Sequence, residues 1–362
     1  MKKKVGLLIS GLGGAIGTTV ISVLDLMRQG HVGKYGMVCE MLIGEKSLGQ
    51  IAKAPEIEEI VVGGWDKQRP FPVPRPTETA AEWGSCVAQL CADIERFRQQ
   101  NQVDDIVIVN CINTMPKPEP NAAYETVEAL RAACQVDDAS ITPSMQYAIA
   151  ACLTNRVAYA NFTPNYAEVP SIVQLAEQTQ TPLTGHDGKT GQTLMKTGIA
   201  PIFEVRQLKV RQWVSYNHLG NQDGAALSDP SANKTKTTSK ANCLTDILGY
   251  DDVQQQVTID YVPHPDDELG DRKQAIDHIR FKGFGGVTMS LLMHFDCQDS
   301  SLAGGIIVDL ARLMTVSLAR QEGGLQPQYS LFFKSPQVAG KPEHNLFKQF
   351  AMLKEWISQD QV

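Results

Sequence analysis

Apolar positions fall into short continuous runs in the first half of the chain and into alternating patterns later, and the two textures predict different architectures. "KKVGLLIS" is a run bounded by glycines, suited to a strand buried on both faces. A glycine-rich turn follows, then "TTVISVLDLMRQG", with helical periodicity and a closing glycine. "YGMVCEMLIG" and "IEEIVVGGWD" read as further strands, "TAAEWGSCVAQLCADIERFRQQN" as a long amphipathic helix and "VDDIVIVNCINT" as another buried strand. "ITPSMQYAIAACLTN" and "RVAYANFTPN" continue the alternation, which predicts an α/β fold with a Rossmann-type, doubly wound parallel sheet. "WDKQRPFPVPRPTE", with four prolines, predicts an extended surface loop.

After about residue 193 the texture changes. "PIFEVRQLKVRQWVSYNHLG" and "QQVTIDYVPH" alternate apolar with polar residues, and "HIRFKGFGGVTMSLLMHFDC" reads as more sheet with one covered face. "LAGGIIVDLARLMTVSLARQ" and "NLFKQFAMLKEWI" return to helix. The expected organisation is therefore discontinuous. Residues 1–193 and 303–362 form a dinucleotide-type domain, and 194–302 form an inserted α+β segment.

Bulk composition narrows the function classes. The chain has 362 residues and a formal net charge of −7, so no general attraction to nucleic acid or anionic membrane is expected. No run of about 18 apolar residues appears, so a membrane span is expected to be excluded. The eight cysteines include no C-x-x-C pair and several sit in apolar runs, so reduced core thiols and a cytoplasmic location are expected.

Several segments carry candidate chemistry. Gly11, Gly13, Gly14 and Gly17 form a loop between a strand and a helix, where a pyrophosphate could approach the helix N-terminal amides. Ile16 stands where the common fingerprint has its third glycine, and a tight structural turn is the alternative. Asp66, ending a later strand, suits either a ribose hydroxyl or a turn cap. "TGHDGKTGQTLMKT" is a second potential phosphate cradle, with Asp187 and Lys189 on its rim and Lys196 following. "SYNHLGNQDGAALSD" places Asn217, His218, Asn221, Gln222 and Asp223 in a turn-rich stretch after a strand. "KTKTTSK" clusters lysines without a carboxylate; on a helix, Lys236 and Lys240 would share a face. Asp271 and Lys273 follow, then Asp299 at the start of an apolar helix, where it would act as a cap. Lys334 ends an aromatic, buried-looking strand, where apolar surroundings would lower its pKa.

"GLGGAIGTT", "GGWD", "INT", "GHDGKTGQT", "SYNHLGNQDG", "KTKTTSK", "GDRKQAID", "CQDSSLA" and "FFKSP" occur in the order in which similar motifs occur in myo-inositol-1-phosphate synthases. The chain resembles that family from the first strand to near its C-terminus. The resemblance implies an NAD-dependent isomerase that cyclises D-glucose 6-phosphate to 1L-myo-inositol 1-phosphate. NAD⁺ would take a hydride from C5, an enolate would close the ring on the C1 aldehyde, and the hydride would return without net redox change. It also implies, by position, that Gly13, Gly14, Ala15, Ile16, Gly17 and Thr18 hold the pyrophosphate. Asp66 would take the ribose, with Asn113, Thr114, Asp187, Asp299 and Ser300 lining the cofactor. Thr190, Gly191, Gln192, Lys240 and Lys273 would bind the substrate phosphate. Lys236, paired with Asp187, would move the C5 hydroxyl proton and Lys334 would stabilise the oxygen at C1. Asn221, Asp271 and Asp299 would orient the lysines and sugar. A homotetramer is implied, built by the inserted segment, as is a divalent cation or ammonium ion in some members.

The chain departs from the family's common pattern at His186, where an acidic residue is usual, and at Thr190, Gln222 and Gln298. These changes sit around the phosphate loop and sugar turn, so they bear on substrate more than on reaction type. The competing readings are a cyclase of the same chemistry acting on another phosphosugar, an ordinary NAD(P) dehydrogenase, and a dinucleotide-binding sensor without turnover.

Overall fold

The computed structural model describes residues 4–66, 78–219, 243–261 and 270–359. The first sheet is parallel. Its strands are β1 (Val5–Ser10), β4 (Ile60–Trp65), β5 (Asp105–Asn110), β6 (Val157–Asn161), β7 (Pro182–Gly185) and β12 (Gly324–Leu325), in the spatial order β12-β7-β6-β5-β1-β4. Side chains alternate between two cores. Leu7, Ile9, Val107 and Val109 face one, and Leu8, Ile106 and Ile108 face the other. Helices α1 (Ala15–Arg28) and, late in the chain, α10 (Asp299–Ala319) cover the first face. Helices α4 (Ser85–Asn101), α5 (Val127–Gln135), α6 (Pro143–Leu153) and α7 (Pro170–Gln178) cover the second, and the short helix α3 spans Glu78–Ala81.

The strand register has a consequence for the site. Trp65, Ser10, Asn110, Asn161 and Gly185 are successive partners on one rung at the C-terminal edge of β4, β1, β5, β6 and β7. Five strands at about 4.8 Å spacing put Asp66 and His186, each one residue further on, roughly 20 Å apart along the same edge. The order reverses at β1, with β4 on one side and β5 on the other, which opens a crevice there.

The second sheet, in the order β11-β10-β8-β9, contains β8 (Lys209–Leu219), β9 (Gln254–Tyr261), β10 (Arg272–Lys282) and β11 (Thr288–Gln298). Helix α8 (Gly191–Val205) joins the two sheets, and α9 (243–248) packs on the second. Lys273, Ala275, Asp277 and Ile279 form the buried face of β10. The last helix is α11 (Leu346–Ser358).

Four local expectations need correcting. "YGMVCEMLIG" adds no strand to the large sheet: it makes a 3₁₀ turn at Val38–Glu40, then β2 (Leu42–Ile43), which pairs only with β3 (Lys46–Ser47), ahead of the four-residue helix α2 (Leu48–Ile51). The reason is side-chain competition for its backbone. Val38 and Cys39 N–H groups donate to the buried Asp309 carboxylate, and Glu40 pairs with the fully buried Arg312. Residues 201–205 continue α8 through Pro201 and do not begin a strand. "YSLFFKSP" is a 3₁₀ segment (Pro327–Phe332) whose Phe333 makes a single bridge to Gly188. Finally, α10 is by length and composition apolar enough to cross a membrane, contrary to the reading of the sequence, but most of it is buried inside the protein against α1 and the first sheet. The proline-rich segment lies largely outside the described residues.

The cysteines stand as free thiols, six of them buried. Burial pushes Cys91 up to about 11 and Cys111 up to about 12, so these two stay protonated at neutral pH.

Candidate active site

The glycine loop is built from backbone. Gly11 has φ +85°, a conformation that side chains other than glycine's rarely adopt. A Cβ at Gly17 would sit 2.2 Å from the Leu12 carbonyl oxygen, so only glycine lets α1 start this close to the loop. Gly14 is the N-cap and has no side chain to satisfy the first-turn amides, which leaves them directed at the crevice. Asp66, carried on the neighbouring β4, accepts a 2.6 Å hydrogen bond from the Gly13 N–H. On the far side of β1, the chain after β5 is pinned: Asn165 accepts from the Met115 N–H at 2.7 Å and donates to the Asn113 carbonyl at 3.2 Å. Asn113 is exposed and Thr114 half-buried in that turn. Exposed loop glycines, a cradle that a Cβ would fill and a carboxylate at the end of the adjacent strand fit a dinucleotide.

The second region is built from side chains drawn from distant segments. Residues 185–188 run antiparallel to 333–337, with Lys334 N–H on the Asp187 carbonyl (2.7 Å) and Gln337 N–H on the Gly185 carbonyl (2.7 Å). That pairing places the Lys334 Nζ 2.7 Å from Asp187 Oδ1. The lysine therefore sits against a carboxylate, not in the apolar surroundings expected of it. Across from them, Asp299 accepts from Thr190 Oγ1 at 2.6 Å and from Lys273 Nζ at 3.3 Å. Burial alone would raise the Asp299 carboxyl. Lys273, the Thr190 hydroxyl and the nearby Lys334 outweigh it and hold the group at about 2. Lys334, Lys273, Asp187, Asp299 and Thr190 thus form one cluster.

Asp271 rather than Asp299 caps α10: its carboxylate accepts from the Ser300 N–H (2.9 Å) and the Ser300 hydroxyl (2.7 Å). This leaves Asp299, the first helical residue, free to face the lysine, and turns the Ser300 hydroxyl to the cap. The Lys273 stem lies over Gly191, where a Cβ would be 3.4 Å from its Cδ. Gln192 is buried and its side chain points into the second sheet: Asn217 donates to its Oε1 at 3.1 Å, and its Nε2 donates to the Tyr216 carbonyl and Asp277. What Gln192 offers the start of α8 is its backbone N–H. Asn217 and His218 belong to β8 itself and not to a turn.

Lys189 does not sit on the rim of its loop. It is buried, with its amino group on the Gln349 side-chain oxygen, and burial brings it down to about 7. Lys236, Lys240, Asn221, Gln222 and Asp223 lie outside the described residues. Among the described residues, no group of three or more His, Cys, Asp and Glu is arranged to hold a metal ion.

Gly304 of α10 lies against Thr19 and Val20 of α1, each of these residues about a turn and a half from its helix start. At 1.5 Å per residue and 8–10 Å between axes, Asp299 is within roughly 20 Å of the glycine loop. The cluster borders the crevice.

Reading the strands alone missed Glu168 and the ladder that reaches it. Ser10 Oγ donates to Asn110 (2.7 Å), Asn110 Nδ2 to Asn161 (3.0 Å) and Asn161 Nδ2 to Glu168 Oε2 (3.2 Å). Polar residues ending consecutive parallel strands are the sequence signal that would have found it, because parallel register sets those ends side by side.

Fold and site together define a dinucleotide-fold enzyme with paired lysines and carboxylates beside its cofactor crevice. Residues 75–358 match the family model described as myo-inositol-1-phosphate synthase. Inositol-3-phosphate synthase 1 of Bacteroides thetaiotaomicron is 30% identical over 412 residues, covering 98% of this chain and 95% of that protein. A probable inositol 3-phosphate synthase isozyme 3 of Arabidopsis thaliana is also 30% identical, with 97% and 84% covered. The crystal structure of inositol-3-phosphate synthase from Caenorhabditis elegans superposes with a TM-score of 0.84 at 24% identity, covering 99% of this chain and 86% of that one. A myo-inositol-1-phosphate synthase-related protein from Thermotoga maritima gives 0.76 at 23% identity over 98% of both chains. At these identities the two superpositions establish the fold. The chain belongs to the myo-inositol-1-phosphate synthase family, and is an NAD-dependent isomerase by class.

Proposed function

We propose that this protein cyclises D-glucose 6-phosphate to 1L-myo-inositol 1-phosphate, with no net redox change. The observation that carries the reading is the cluster in which Lys334–Asp187 and Lys273–Asp299–Thr190 meet at the edge of the dinucleotide crevice. An ordinary dehydrogenase has no use for two held ammonium groups beside a helix N-terminus. A ring closure that develops negative charge on an enolate and an alkoxide, on a substrate bearing phosphate, does.

In this reading the segment Gly13 to Thr18 cradles the pyrophosphate through the first-turn amides of Ala15, Ile16 and Gly17, since those of Gly14 and Thr18 donate to the Gly11 and Gly14 carbonyls. Asp66 exchanges its Gly13 N–H for the ribose hydroxyls, and Asn113 and Thr114 line the cofactor together with the Asp187, Asp299 and Ser300 region. Bound NAD supplies the reversible oxidation at C5. The first amides of α8 (Gly191, Gln192), the Thr190 hydroxyl and Lys273 bind the substrate phosphate, joined by Lys240. Lys236 takes the C5 hydroxyl proton, oriented by Asn221 and Asp187. Lys334 donates to the oxygen at C1 as it becomes an alkoxide. Asp299 holds Lys273 in place for this work, and Asp271 fixes the start of the helix that carries Asp299.

The division into residues 1–193 with 303–362 and residues 194–302 goes with this reading, as does a homotetramer. Met289, Leu291 and Leu292, left exposed on β11, support association through that sheet. The free thiols support a cytoplasmic setting. A divalent cation or ammonium beside the phosphate is part of the same reading and would appear as activation when added to desalted enzyme.

The test is incubation of the purified protein with glucose 6-phosphate and catalytic NAD⁺, following phosphorus NMR and NADH absorbance. Many turnovers of inositol phosphate without steady NADH are expected. Steady NADH would contradict the cyclase, and absence of product with NAD bound would point to a different phosphosugar.

A further inference from the structure

Glu168 is buried at the loop after β6, and its side chain is 2% exposed. Its Oε2 accepts from Asn161, while Oε1 has no hydrogen-bond partner and lies where a Cβ on Gly185 would be only 2.1 Å away. A carboxylate this deep requires a compensating charge. A cation in reach among the described residues is His186, whose Nδ1 is 3.5 Å from Glu168 Oε2 and makes no hydrogen bond of its own. His186 directly precedes Asp187, and its backbone is laced to Ser335 in both directions: His186 N–H to the Ser335 carbonyl and Ser335 N–H to the His186 carbonyl. It is therefore fixed beneath the segment that carries Lys334.

We propose that Glu168 and His186 form an ionisable prop under the Asp187–Lys334 pair, with His186 as a positioning residue whose protonated form supports ring closure. The charges then alternate along the row: Glu168 negative, His186 positive, Asp187 negative, Lys334 positive. Loss of the imidazole proton leaves two carboxylates flanking a neutral ring, and Asp187 and Lys334 lose their neighbour's support.

The groups around His186 favour the charged form. Burial opposes it, but Glu168 and then Asp187 outweigh burial and raise the imidazole above 6.5. The Tyr166 ring packs at 5.9 Å, and the Lys117 ammonium lies over that ring, 5.4 Å from its centre. From the 333–337 segment come Lys334, held by Asp187, and the backbone of Ser335 and Gln337.

This inference rests on the proposed role of Lys334, and the test separates the two. In NMR titration, the imidazole resonance missing from His186→Gln identifies His186 among the seven histidines. It should titrate above pH 6.5 in the wild type, and Glu168→Gln should move it down, because only Asp187 is then left to oppose burial. In kinetics, wild-type kcat should fall about 3- to 10-fold as pH rises through that titration. His186→Gln should hold the low plateau at all pH values, and Glu168→Gln should begin its fall earlier. A His186 titration at or below 6.5, or one unmoved in Glu168→Gln, overturns the pair. A His186→Gln profile that superposes on the wild type overturns its role in turnover. If no inositol phosphate forms in any variant, the proposed function fails, and the NMR arm alone decides the charge pair.

Discussion

The glycine loop and the lysine cluster border the same crevice but are made in opposite ways. The loop uses backbone: Gly11, Gly13 and Gly17 have no side chain because the turn, the Asp66 contact and the Leu12 carbonyl leave no room for one. The cluster uses side chains whose partners lie far away in sequence, 147 residues for Lys334 with Asp187 and 109 for Thr190 with Asp299. A backbone site is selected by space and fails sterically. A side-chain site is selected by charge balance and fails when one member is removed or titrated.

If that contrast holds, damage to the cluster should spare cofactor binding. Lys334→Ala removes the proposed donor at C1 and takes from Asp187 its ammonium partner. A fall in kcat of about 10³-fold is expected, with NAD binding unchanged by fluorescence titration. Damage to the loop should do the reverse. Gly17→Ala drives a Cβ into the Leu12 carbonyl, an overpacking of about 1–3 kcal/mol, so NAD affinity should weaken by up to about 100-fold. At saturating NAD the rate should recover.

The cluster should titrate, and the loop should not. Asp299 lies lower in the folded state, at about 2, than the usual carboxyl near 3.8. A depressed acid stabilises the fold above its unfolded pKa, and the contribution fades as pH falls through the folded one. Wild type should therefore exceed Asp299→Asn by on the order of 2 kcal/mol in urea unfolding at pH 7. The gap should close between about pH 4 and pH 2. The smallest effect should come from Asp66→Ala, about 10-fold in NAD affinity, because one charge-assisted hydrogen bond is lost while the cradle stays intact.

The same contrast explains what could be read from the sequence. The glycine loop, the buried strands and their alternation with helices are local patterns, and the parallel sheet follows from them. "YGMVCEMLIG" misled because its backbone donors are taken by Asp309, some 270 residues away, which no local pattern records. Lys334 was singled out for an apolar setting, yet its environment is set by Asp187, brought alongside by backbone pairing of two loops. Asp271 takes the capping role expected of Asp299, because the pairing of β10 with β11 sets the residue before β10 against the start of the helix, a placement no local pattern records. His186 shows in the sequence only as a departure from the family, and the signal for its partner Glu168, the polar residues Ser10, Asn110 and Asn161 ending consecutive strands, becomes legible once parallel register sets those ends side by side.

In a cyclase of this kind, oxidation and reduction occur within a single bound cycle while the lysines handle protons. The most direct measurement uses glucose 6-phosphate deuterated at C5, with catalytic NAD⁺ and in ordinary water. Inositol phosphate should keep its deuterium at the corresponding ring carbon through many turnovers. Product that has lost the label to solvent, or deuterium that accumulates in reduced cofactor, would contradict that cycle.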